Sequence, residues 1–134
     1  MSVLRDERLP LRSSEDIAIV RQAVRVMASE IGFGLVDQTK IVTATSELGR
    51  NTVQHGLGGT AHIQMLNDGP RKGVRITFED SGPGIPDIEL AMRDGYSTGG
   101  GMGLGLSGSK RLSNEFAIES EVGRGTRVTI ARWK

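Results

Sequence analysis

Seven of the chain's 19 glycines (95, 99, 100, 101, 103, 105 and 108) fall within fourteen residues, and they follow a turn that reads Asp80-Ser-Gly82-Pro-Gly84-Ile85. Glycine loses more conformational freedom on folding than any other residue, so a plain connector gains nothing from that density. A backbone that must approach a ligand closely, or fold over one, does need it. The stretch from Asp80 to Leu106 therefore constrains everything else. The fold must present one carboxylate on a tight turn and then a glycine loop that leads into a helix. Such loops sit on a rigid scaffold, and the 134 residues are expected to supply it as one domain with a real core.

Hydrophobic periodicity outlines that scaffold. Residues 8–11 (Arg-Leu-Pro-Leu) read as an edge strand, where proline is tolerated. Ser13 followed by Asp16 is a capping signal, and Ile17, Val20, Val24, Met27 and Ile31 then recur at helical spacing up to a stop at Gly32 or Gly34. Asp37 reads as the N-cap of a second helix over roughly 38–56, with Ile41, Ala44, Leu48 and Thr52 on its apolar face and Gly56 at its end. Residues 60–69 and 73–80 alternate apolar and polar about a turn cluster at 67–73, which predicts a hairpin. Val74, Ile76 and Phe78 share one face of it. Asp80 continues that face, and a carboxylate there needs a specific partner. A short helix fits 85–92, another runs from Leu104 to Leu112, and residues 116–120 and 127–131 form a second hairpin. Helices segregated against mainly antiparallel strands predict an α+β fold, a two-layer sandwich with the helices on one face.

Glu47, Asn51 and His55 recur every fourth residue, so they stack on one helix face beside the apolar stripe. That arrangement suits a site at the edge of the core, and it equally suits a solvated face. Gly103-Leu-Gly105-Leu-Ser-Gly108 has the spacing of a dinucleotide-binding turn, but no strand precedes it. The P-loop and the protein-kinase glycine loop fail on their flanking residues. What survives is a run of backbone N–H groups leading into a helix N-terminus, which favours an anion such as phosphate. A net charge of +1 with no basic run offers no nucleic-acid surface, and the absence of cysteine excludes disulfides and thiolate metal sites. No apolar run is long enough for a bilayer, and the N-terminus carries no signal-peptide pattern. The expectation is a cytoplasmic protein that binds neither nucleic acid nor membrane.

Four short motifs occur in order: Glu47-x-x-x-Asn51 on a helix, Asp80-x-Gly82-x-Gly84 after a strand, Gly101-x-Gly103-x-Gly105 before a helix, and Gly125-Thr126 before the last strand. Over residues 47–126 they resemble the ATP-binding fold shared by DNA gyrase, the Hsp90 chaperone, histidine kinases and MutL. Gly95-Tyr96-Ser97-Thr98 before the glycines, and Lys110-Arg111-Leu112 with Glu115-Phe116 after them, narrow this further. They resemble the serine kinases that control bacterial sigma factors, of the stressosome-switch (RsbT) type, with the anti-sigma kinases of the RsbW and SpoIIAB type as relatives.

The resemblance implies ATP and Mg²⁺. It implies Asp80 as acceptor for the adenine amino group, Thr126 as its support, and Gly82 and Gly84 as backbone that passes close to the base. Asn51 is implied as the Mg²⁺ ligand and Glu47 as general base or orienter for the attacking hydroxyl. Gly99, Gly100, Gly101, Gly103, Leu104 and Gly105, with Thr98 beside them, are implied as a lid over the phosphates, helped by Lys110 or Arg111. The implied activity is a protein serine/threonine kinase that acts on a STAS-domain antagonist or scaffold protein in a partner switch. The alternative is a module that sequesters a PP2C-type phosphatase or a sigma factor, with ATP only setting its shape. Arg50, Lys110 and Arg111 also read as plain surface charge, His55 as a packed or nucleotide-flanking side chain, His62 as strand surface and Trp133 as edge packing. The oligomeric state stays open.

Overall fold

A computed structural model describes residues 1–93 and 105–134, and the backbone alone of residues 97–98 and 102–103. The elements run β1 (Ser2–Leu11), α1 (Ser14–Glu30), α2 (Leu35–Gln54), β2 (Gly59–Asp68), β3 (Arg71–Asp80), α3 (Ile88–Ala91), β4 (Ser97–Thr98), β5 (Met102–Gly103), α4 (Leu106–Arg111), β6 (Glu115–Glu121) and β7 (Gly125–Trp133). Five strands form one sheet in the order β1-β2-β3-β7-β6, and each neighbouring pair is antiparallel. β4 and β5 pair with each other. The fold is α+β, with the long helices on one face of the sheet, as the periodicity predicts.

The first helix starts where its cap signal lies. The Ser13 hydroxyl accepts a hydrogen bond from the Asp16 N–H, and the Asp16 carboxylate accepts from the Arg12 backbone N–H at 2.8 Å and from Arg12 Nε at 2.9 Å. These bonds tie the end of β1 to the first turn of α1. Ile31 closes the helix, and Gly32 turns the chain away at φ +90°. Val20, Val24 and Met27 of α1 meet Ile41, Ala44 and Leu48 of α2 over the inner face of the sheet, where Ile63, Ile76, Phe78 and Ile130 are buried. Each large apolar side chain removed from water there contributes about 1.5–3 kcal/mol. Along β3 the buried face carries Val74, Ile76 and Phe78, and the next position on that face is Asp80. The other face is polar: Arg75 donates from Nε and Nη2 to Gln64 Oε1 at 2.9 and 2.8 Å, and His62 bonds Asp6.

Several boundaries differ from the sequence reading. The second helix starts at Leu35, and its N-cap is Gly34, whose extended backbone supplies no side-chain cap. Asp37 therefore lies inside the first turn. Its carboxylate is taken by Arg132, which donates from Nη2 at 2.7 Å and from Nε at 3.2 Å. The first hairpin is tighter than the turn cluster suggests, because β2 and β3 pair as far as Asp68 and Arg71 and leave only Gly69-Pro70 between them. The helix expected over 85–92 shrinks to Ile88–Ala91, because Asp87 accepts from the Leu90 N–H and so caps the helix after Pro86. The helix expected from Leu104 is Leu106–Arg111 among the described residues.

Candidate functional site

The end of β3 carries the carboxylate that opens the site. Asp80 Oδ1 accepts from the Gly82 N–H at 3.0 Å and from the Thr126 N–H at 3.2 Å. Asp80 and Thr126 are register partners across β3 and β7, which places the two motifs side by side although 46 residues separate them. Oδ2 has no hydrogen-bond partner among the described residues, so it remains an acceptor at the cavity wall. Burial raises the Asp80 carboxyl above its ordinary value, the two backbone N–H bonds oppose that rise, and nearby Glu79 adds to it. A carboxyl that is desolvated yet hydrogen-bonded on one side, in a concave site, is a functional candidate on physical grounds.

The backbone beside Asp80 is crowded. A β-carbon at Gly82 would lie 2.6 Å from the Gly56 carbonyl oxygen, and Gly84 has φ +78° with the Glu121 carbonyl 2.3 Å from where a β-carbon would sit. Glycine is required there by contact with other backbone: the end of α2 on one side, the β6–β7 turn on the other. The hydroxyls form a second layer. Ser120 Oγ accepts from the Ile85 N–H at 2.8 Å, donates to the Gly125 carbonyl at 3.1 Å and bonds Thr126 Oγ1 at 2.8 Å. Ser120 belongs to no motif, and the observed register of the second hairpin is what sets it opposite Thr126.

These residues frame a cavity of about 250 Å³ between α2, the sheet and α3. Its apolar walls include Leu48, Phe78, Ile85, Leu90, Leu106 and Val128, and its polar groups include Asn51, His55, Asp80 and Thr126. Such a slot, apolar with a few convergent polar groups, is the usual build of a small-molecule site. Ile85, Leu90 and Leu106 carry no motif and could be assigned to the wall only once the fold was known. Asn51 on α2 and His55 at its C-cap stand one turn apart, as their spacing predicts.

Glu47 lies one turn further back, at the foot of α4. Gly105 caps that helix in the left-handed region (φ +65°, ψ 10°), and a β-carbon on it would come 2.7 Å from Glu47 Oε2. Arg50 Nη1 donates to Glu47 Oε1 at 3.0 Å, so Arg50 is partner to the candidate base instead of plain surface charge. Lys110 and Arg111 occupy the last turn of α4, are exposed, and are not among the described residues that line the cavity. Gly99, Gly100, Gly101 and Leu104 lie outside the described residues, and Thr98 and Gly103 are described only as backbone in β4 and β5. His62 is at the outer face of the sheet, bonded to Asp6, and Trp133 packs at the end of β7 under the Arg71 guanidinium at 4.5 Å.

Among the described residues no group of three His, Cys, Asp or Glu side chains could hold a metal. Mg²⁺ keeps most of its waters and takes the rest of its shell from substrate phosphates, and the Asn51 amide oxygen is a hard donor on the cavity wall that suits it. No helix among the described residues is long and apolar enough to cross a membrane.

The chain is similar to known proteins over most of its length. Residues 36–134 match the family described as histidine kinase-, DNA gyrase B-, and HSP90-like ATPase. The chain is 48% identical over 118 residues to the serine/threonine-protein kinase RsbT of Bacillus subtilis, covering 88% of this chain and 89% of that one. It is 30% identical over 127 residues to the anti-sigma F factor of Geobacillus kaustophilus, covering 89% and 85%. In three dimensions it is similar to the crystal structure of the RsbU and RsbW domains of a Mycobacterium tuberculosis protein, with a TM-score of 0.67, 24% identity and coverage of 96% of this chain and 32% of that one. The chain therefore belongs to the histidine kinase-, DNA gyrase B-, and HSP90-like ATPase family, and within it to the serine/threonine protein kinases.

Proposed function

We propose that this kinase transfers the γ-phosphoryl group of ATP to a serine or threonine of a STAS-domain partner, and that it works as the switch between that partner and a second target. The observation that carries the reading is the convergence of Glu47, Asn51, Asp80 and Thr126 on one cavity and its rim, three of them lining it and Glu47 packed at the foot of α4. Asp80 offers Oδ2, which has no partner among the described residues, to the adenine amino group, and the Thr126 hydroxyl, anchored by Ser120, supports the base. The apolar walls exclude water from the ring faces. Asn51 would hold Mg²⁺, which neutralises phosphate charge when bound. Glu47 accepts the proton of the attacking hydroxyl or orients it. By family resemblance, Gly99 to Gly105 would contact the phosphates.

Phosphoryl transfer of this kind depends mainly on positioning and charge neutralisation, and general-base assistance adds about 10²–10⁴-fold. STAS-domain proteins incubated with the chain, radiolabelled ATP and Mg²⁺ are expected to gain phosphate at serine or threonine. Glu47→Ala is expected to lower that rate by about 10²-fold or more while ATP still binds. ATP binding with no phosphate gained by any such protein would sink the reading.

The similarity to an anti-sigma F factor favours one second reading, a module whose main effect is to sequester a sigma factor or a phosphatase. Glu47→Ala separates the two readings, because a sequestering module retains its biological effect when phosphotransfer is lost.

A further inference from the structure

We propose that Arg50 is a positioning residue for Glu47, the side chain that sets where the candidate base points. The inference rests on the reading of Glu47 given above. A glutamate on a helix surface has three freely rotating side-chain bonds, and a base spread over several rotamers spends little time within hydrogen-bond reach of the proton it must take. Glu47 is not left in that state. Arg50 Nη1 holds Oε1 at 3.0 Å from the next turn of α2. On its other side the chain comes so close at Gly105 that an added β-carbon would meet Oε2 at 2.7 Å, Cβ at 3.0 Å and Cγ at 3.3 Å. The carboxylate thus sits in a slot with a guanidinium on one wall and bare backbone on the other.

Two further observations separate orientation from other roles. Both side chains of the pair are about two-fifths exposed, 42% for Arg50 and 39% for Glu47. Ion pairs at that exposure add little to stability, so holding the fold together is a weak reason for this one. Arg50 is also absent from the described residues that line the cavity, although its neighbour Asn51 is among them. It therefore acts on the reaction through Glu47, and its removal spares nucleotide binding.

The test compares Arg50→Ala, Arg50→Lys, Glu47→Asp and the double variant Glu47→Asp with Arg50→Ala. The probes are radiolabelled ATP with Mg²⁺ and the STAS-domain acceptor that the wild type phosphorylates. Arg50→Ala is expected to lower the transfer rate at saturating ATP about tenfold, a fraction of what a general base supplies, with KM for ATP and the calorimetric Kd within about twofold. Arg50→Lys, which keeps a cation one turn from Glu47, is expected to recover to within about threefold of the wild type. In the Glu47→Asp background, where the carboxylate is withdrawn by one methylene, Arg50→Ala is expected to cost less than about twofold further.

An undiminished rate in Arg50→Ala overturns the proposal while leaving Glu47 in its role. Equal losses in both backgrounds, or an ATP Kd weakened more than about fivefold, also overturn it, because Arg50 would then act on phosphate or partner directly. A wild-type rate in Glu47→Asp, or no transfer by the wild type to any acceptor, removes the reading on which the proposal stands.

Discussion

Replacing Asp80 with Asn separates recognition from folding. Oδ1 of Asp80 accepts from the N–H groups of Gly82 and Thr126 at 3.0 and 3.2 Å, and the amide oxygen of Asn can keep both bonds. Oδ2 becomes an NH₂ group, so an acceptor facing the cavity turns into a donor. Against an adenine amino group this loses a charge-assisted hydrogen bond of about 1.5–3 kcal/mol and leaves facing donors unpaired at about 1–3 kcal/mol more. The sum, about 2.5–6 kcal/mol, corresponds to roughly 70- to 25,000-fold in ATP affinity. Stability moves the other way. Burial raises the Asp80 carboxyl above its ordinary value of 3.8. The native state therefore holds its proton more tightly than the unfolded chain. Stability then falls as pH rises from the ordinary value through the raised one, and the deficit persists at neutral pH. A neutral isostere removes it. Calorimetric titration with ATP and Mg²⁺, with thermal melts of the same samples at pH 7, should show affinity lost and Tm equal to or above that of the wild type. Affinity within about fivefold of the wild type would refute the recognition argument. A lowered Tm with binding intact would make Asp80 a structural cap.

Gly125 has φ +111° and lies where a β-carbon would be 2.1 Å from the Asp80 carbonyl. Gly125→Ala adds backbone strain to overpacking and is expected to lose about 2–6 kcal/mol in denaturant unfolding; a loss below about 1 kcal/mol would refute the packing argument. Phe78, 2% exposed, is both core and cavity wall. Phe78→Ala should cost about 3–5 kcal/mol of stability and weaken ATP binding in the same preparation, and unchanged binding would place the base elsewhere. Arg12 hydrogen-bonds the Asp16 carboxylate and holds it below the usual carboxylate range. That contribution is present above the ordinary value of 3.8 and is lost as pH falls through the depressed one. Asp16→Asn should therefore be less stable than the wild type at pH 7, with the gap closing on acidification. A gap that stays constant to pH 2 would contradict it.

What can be read from sequence here is what physics settles within a few turns of chain. The serine cap at Ser13, the stripe from Val20 to Met27, the alternation that puts Val74, Ile76 and Phe78 on one face, and the continuation of that face to Asp80 all depend on residues within reach of one another. The family motifs are legible for the same reason, since each is a short local geometry. Asp37 shows where this ends. By local preference it is a helix cap, but its carboxylate belongs to Arg132, 95 residues away, and no window of sequence contains that competitor.

Strand order is the larger case. Either strand of the second hairpin could have joined β3, and the sheet places β7 there. That choice sets Thr126 against Asp80, aligns Ser120 behind it and brings the β6–β7 turn onto Gly84. Arg50 and Glu47 were close in sequence all along. Only the approach of Gly105 to their carboxylate turns a common surface pair into a held one. Element types and buried faces follow from propensity and burial along a local stretch, while the meeting of remote groups depends on how distant elements share one core.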